Sequence, residues 1–165
     1  MAKEFEVTPQ QRGLMDFLIS AKRDGYASGE STTVDEEDGS HSTRFGRGEY
    51  KFHDNWVGGE PFSGIEKVNF QGKPYWAMVY FGADQTRDEG IIDAKTIETL
   101  RLALRAIAPE MPVRGPKRFE NGEYIYENNW EGDIDSFSGR EEIYFEGKRV
   151  YNCSYVGGLV NKIND

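Results

Sequence analysis

The feature that most constrains this chain is that it says nearly the same thing twice. GEYKFHDNWVGG at residues 48–59 returns as GEYIYENNWEGD at 122–133. Setting 44–61 against 118–135, and 62–82 against 137–157 after skipping Ser136, gives 17 identities in 39 positions, which unrelated segments do not reach. The period is too long for a solenoid. The pattern therefore predicts a duplicated supersecondary unit with pseudo-twofold symmetry.

Each copy reads as three strands. In the first, residues 49–57 alternate, with Tyr50, Phe52 and Trp56 on one face and Glu49, Lys51 and His53 on the other. A second strand spans about 65–70 and ends at QGK, matched by EGK at 146–148. The third, about 75–81, is apolar on both faces, as a strand covered on both sides would be. Its counterpart at 150–156 carries Asn152 and Ser154 on one face and is expected to be half exposed. A helix precedes each trio. Thr8, Pro9 and Gln11 form a capping-box start, and Leu14, Phe17, Leu18 and Ala21 a buried stripe. The second helix begins near Asp93, presents Ile97, Leu100, Leu104 and Ile107, and stops before Pro109.

The expected fold is α+β, an internally duplicated αβββ–αβββ with antiparallel sheet and pseudo-twofold symmetry. It forms a single domain of two repeats, about 8–82 and 93–160, with an acidic loop at 29–43. One six-stranded sheet and two three-stranded sheets both fit. Composition excludes several functions. A net charge of −9 repels phosphate, so direct nucleic-acid binding is not expected. There is no 18-residue apolar run and no apolar leader, so no membrane span is expected. The single cysteine, Cys153, rules out an internal disulfide and suits a reducing, cytoplasmic setting.

Residues held in both copies report mainly what the backbone requires. Gly58, Gly64 and Gly72 are expected in turns or bulges, with Ser63 and Ser138 as turn residues of the FSG motif. Two polar positions resist that explanation. Alternation turns Asp54 toward the aromatic face beside Trp56, and Glu66 toward the apolar face of its strand; Glu141 repeats Glu66, while Asn128 replaces Asp54. A carboxylate facing a core costs several kcal/mol, of the order of a lost buried hydrogen bond or more, unless paired or neutralised. Either the acids line a pocket, or bulges turn them to solvent or to Arg44 and Arg118. Asp54 carries more functional weight because the copies differ there. The candidate ligand-binding set is Asp54, Trp56, Glu66, Trp76 and Tyr80, with Trp130 and Glu141 from the second copy.

Two histidines and one cysteine do not make a zinc site, and DIDSFSGREEIY fails as a calcium loop because Phe137 and Tyr144 occupy ligand positions. No phosphate-binding glycine loop or nucleophile elbow occurs, so no cofactor and no metal are expected. His53 reads as a solvated histidine and Cys153 as a small core residue.

The ordered set YASG (26–29), GSHS (39–42), GEYKFHDNWVGG, FSGIEKV, GKPYWAMVYFG, RGP (114–116), FSGREEIYFEGKRVY and YVGGLV resembles a bacterial and archaeal domain family of unknown function. Its members stand alone or lie C-terminal to an XRE-type helix-turn-helix. The resemblance brings no established activity and implies a sensing role by context. Three readings stay open. The first is a non-enzymatic small-molecule-binding or sensor domain with an aromatic, acid-lined cleft. The second is a small hydrolase or isomerase using Asp54 and Glu66. The third is a protein-interaction module forming a homodimer through an exposed strand edge such as the last.

Overall fold

The computed structural model describes residues 6–24, 33–84 and 94–161. Residues 26–29 and the start of the second helix near Asp93 lie outside them. In chain order the elements are α1 (Pro9–Asp24), β1 (Val34–Asp35), β2 (His41–Arg47), β3 (Tyr50–Gly58), β4 (Phe62–Phe70), β5 (Lys73–Asp84), α2 (Ala94–Arg105), β6 (Arg118–Asn121), β7 (Tyr124–Asp133), β8 (Ser136–Phe145) and β9 (Lys148–Leu159). The fold is α+β. All nine strands join one antiparallel sheet in the order β1-β2-β3-β4-β5-β9-β8-β7-β6, which decides for one continuous sheet over two.

Three strands, β1, β2 and β6, were not anticipated. The interval expected to be an acidic loop contains β1 and the start of β2, which pairs with β3 from Arg47↔Tyr50 to His41↔Trp56. Arg44 and Phe45 belong to β2, and Arg118 and Phe119 to β6. Short polar strands at a sheet margin carry no alternation strong enough to read. Polar edge strands also suit that margin, because they discourage pairing with other chains. The last strand, taken as a candidate dimerising edge, lies instead at the centre, with β9 paired to β5 on one side and β8 on the other.

Both helices pack on one face, α1 over β2 and β3, α2 over β6, β7 and β8. α1 starts with the expected box: Gln11 N–H donates to Thr8 Oγ1 (3.2 Å), and Thr8 N–H to Gln11 Oε1 (2.9 Å). Its stripe of Leu14, Phe17, Leu18 and Ala21 is buried. Each of the larger ones contributes about 1.5–3 kcal/mol by leaving water. α2 buries Thr96, Thr99, Leu100, Ala103 and Leu104, while Ile97 is only half-buried. The buried face of α2 is thus turned from the expected one, leaving Ile97 toward a cavity described below.

The other face of the sheet has no covering layer among the described residues. Val79 and Phe81 of β5 are 47% and 57% exposed, so β5 is not covered on both sides as its apolar sequence suggested.

The FSG segments are strand, not turn. Gly64 and Gly139 sit in β4 and β8 because a tyrosine from the next strand lies across each. A Cβ on Gly64 would come 2.3 Å from Tyr80 Oη, and one on Gly139 2.2 Å from the Tyr155 ring. Gly58 and Gly72 do take the left-handed backbone that favours glycine, with φ of 78° and 76°.

Candidate functional site

A cavity of about 220 Å³ opens between α1, α2 and the sheet's first strands. Alternation along β3 points Phe52, Asp54 and Trp56 into it, and the neighbouring β4 adds Phe62 and Glu66. Tyr80 arrives from β5, Ile97, Leu100 and Leu104 from α2, and Lys22 from α1. Arg101 and Glu60 also contribute.

Asp54 and Glu66 are direct register partners across β3 and β4. They are 7% and 5% exposed, so neither is turned to solvent by a bulge. Their surroundings differ. Lys22 Nζ bonds Glu66 Oε2 at 2.6 Å and also donates to the carbonyl of Val113. Asp54 Oδ1 accepts from the Tyr80 hydroxyl at 2.7 Å, and among the described residues Asp54 makes no ion pair. Burial, and then the neighbouring Glu66, push the Asp54 carboxyl up to about 7; the Tyr80 bond, Lys22 and Arg114 pull the other way. Burial also lowers the Lys22 ammonium from its usual range, with Arg114 adding to that and Glu66 resisting it.

The second half of the sheet carries similar groups, and there they are held by the chain itself. Asn128 and Glu141 are register partners on β7 and β8. Asn128 Oδ1 accepts from Tyr155 (2.7 Å), and its Nδ2 donates to the carbonyl of Gly115 (2.8 Å). Glu141 is fully buried and accepts from the Arg114 guanidinium, Tyr126 (2.7 Å) and Tyr151 (3.0 Å). This site is filled because the segment before β6 packs Ile107, Ala108, Met111 and Val113 into the core and lays Gly115 against Tyr126. In the first half, residues 33–39 before β2 are exposed or half-buried instead.

Of the candidate residues, Asp54, Trp56, Glu66 and Tyr80 share the cavity lining, and three lie outside it. Trp76 is a core residue, its ring stacked on Phe137 and its Nε1 donating to the carbonyl of Ile134 at 3.1 Å. Trp130 is half-buried under Lys117, whose ammonium sits 5.2 Å from the ring centre. Glu141 is consumed by its own partners. Arg44 and Arg118 do not serve the inward acids: Arg44 pairs with Glu36, and Arg118 with Glu120 and Glu127. The cations that do are Lys22 and Arg114. Lys22 follows Ala21 on the helix's buried side and Arg114 opens the RGP motif, but neither position announces a carboxylate partner.

Cys153 is buried, and that burial drives its thiol up to about 12, so it is not a poised nucleophile. The described residues hold no group of three or more His, Cys, Asp and Glu able to bind a metal, and no helix long and apolar enough to cross a membrane.

The model of a domain of unknown function, DUF5680, matches residues 54–160. The chain belongs to that family. No curated protein and no solved structure matches it.

Proposed function

We propose that this chain is a non-enzymatic small-molecule-binding domain whose ligand occupies the cavity at Asp54. The observation that carries the reading is the lining itself: aromatic and aliphatic side chains around a buried carboxyl, Asp54, that makes no ion pair among the described residues. Ligand sites characteristically combine an apolar wall with a few convergent polar groups. A duplicated origin supports the assignment. Equivalent bulges follow Val68 and Ile143, and equivalent turns put Gln71 and Glu146 at φ of 50° and 49°. Against that shared scaffold, the first copy departs by replacing a saturated amide with Asp54 and by leaving its neighbourhood open. A sensing role, as implied by resemblance to regulators with helix-turn-helix heads, fits such a site.

A broad thermal-shift screen tests this on wild type and on Ile97→Trp, which fills the cavity. A ligand at a hundred times its Kd adds about 2.7 kcal/mol. For a domain of this size that is a rise of roughly 5–10 °C in Tm. Hits should vanish in Ile97→Trp. A library that leaves wild type unmoved would count against binding.

One observation favours an acid–base enzyme as a second reading: Asp54 is poised near neutrality, where a general base works well. Glu66, tied to Lys22, would not be its partner in proton transfer. Turnover of a screen hit, lost in Asp54→Asn while binding persists, would select this reading.

A further inference from the structure

We propose that the cavity takes a compact organic cation, a primary or secondary ammonium on an apolar body, with the ammonium seated on Asp54. This rests on the ligand-binding reading above and names its ligand class.

Among the described residues three carboxyl groups are buried on the helix-covered face of the sheet: Asp54, Glu66 and Glu141. Two have a cation supplied by the chain, Lys22 for Glu66 and Arg114 for Glu141. Among the described residues the third is hydrogen-bonded by the hydroxyl of Tyr80 and makes no ion pair. Asn128 shows what a closed version of the same seat looks like. There an amide accepts from Tyr155 and spends its N–H on the carbonyl of Gly115. Asp54 keeps the tyrosine bond but, being a carboxyl, has no amide N–H to spend on a backbone carbonyl.

The charged groups facing Asp54 are Glu66 from β4, Lys22 from α1 and Arg114 from the segment before β6, with the Tyr80 hydroxyl from β5. Arg101 of α2 lines the cavity but is exposed, and Glu60, between β3 and β4, adds a further acidic group to the lining. Lys22 and Arg114 are already held by Glu66 and Glu141, so a ligand ammonium meets an unspent carboxylate. An anionic ligand would meet the same carboxylate and be repelled. Phe52, Trp56 and Phe62 line the remaining wall, and aromatic faces attract cations further. The volume of about 220 Å³ lies below the roughly 300–1,000 Å³ of drug-sized sites, which selects a small ligand.

Titration calorimetry on the full chain, with 2-phenylethylamine, 2-phenylethanol and phenylacetate as probes, tests the assignment. At pH 8 the amine should bind at least tenfold tighter than the alcohol or the acid. Asp54→Asn should erase the amine's advantage over the alcohol; the isosteric amide is expected to fold, since Asn128 occupies the matching seat. Below pH 7 amine binding should release a proton from Asp54, read from the dependence of the heat on buffer ionisation. Alcohol or acid binding as tight as the amine overturns the ammonium assignment while the cavity's role stands. Silence from all three probes also overturns it, and the broad screen then decides separately whether the cavity binds anything.

Discussion

Asp54 and Glu66 stand opposite each other on β3 and β4, and Lys22 bonds the second at 2.6 Å while the first accepts from Tyr80. Two buried acids in register thus have unlike partners. Most of the testable behaviour of this protein follows from that difference.

The stability contributed by Asp54 should fall as pH rises from about 4 to about 7. Asp54 is held at about 7 in the folded chain against an ordinary value of 3.8, so the native state keeps a proton that the unfolded chain has lost. The slope is at most about 1.4 kcal/mol per pH unit for one such group. Asp54→Asn removes this contribution. Urea titrations should show the variant more stable than wild type above pH 7, with the gap closing toward pH 4.

Breaking an inward ion pair should cost more than removing it. Lys22→Met leaves Glu66 buried without its cation, a loss of about 3–5 kcal/mol. Adding Glu66→Gln should recover a large part of it. Arg114→Met with Glu141→Gln should behave likewise, although Tyr126 and Tyr151 still hold the side chain at 141. Strictly additive single and double variants in denaturant would show that the pairs do not couple.

Gly64→Ala should be poorly tolerated despite the small added volume. The new methyl would sit 2.3 Å from Tyr80 Oη and 2.7 Å from the carbonyl of Asn55, so it displaces the ring that bonds Asp54. Overpacking of this kind costs about 1–3 kcal/mol. Gly48→Ala, with open space but a left-handed backbone (φ 57°), provides a contrast in which strain arises without a clash. A wild-type melting curve and an unmoved Tyr80 in a Gly64→Ala crystal structure would contradict the packing account.

On β5, inward and outward positions should respond differently. Met78 is fully buried, and Met78→Ala is expected to cost about 2–5 kcal/mol. Phe81 is 57% exposed on the uncovered face, and Phe81→Lys should change stability by about 0.5 kcal/mol or less. A large loss for Phe81→Lys at all protein concentrations would reveal packing on that face.

Local pattern carried a good share of this architecture. The alternation in GEYKFHDNWVGG defines β3 and turns Asp54 inward, and Thr8 with Gln11 marks the start of α1. These signals lie within one strand or one helical turn, where backbone periodicity alone fixes which side chains share a face. The margins were harder. RFGR ends β2 and RFEN forms β6, but short polar strands look like loops until a neighbour supplies their hydrogen bonds.

What the sequence determined by itself was the parity of each strand and the presence of carboxylates on the apolar side. What only tertiary structure decided was who answers them. Lys22 reaches Glu66 across 44 residues and Arg114 reaches Glu141 across 27, distances closed by how the helices and the segment before β6 dock on the sheet. The same docking buries one face of β5 and leaves Phe81 on the other, and it covers Asn128 while leaving Asp54 open to a cavity. Periodicity says that a residue points inward; it does not say what will be standing there.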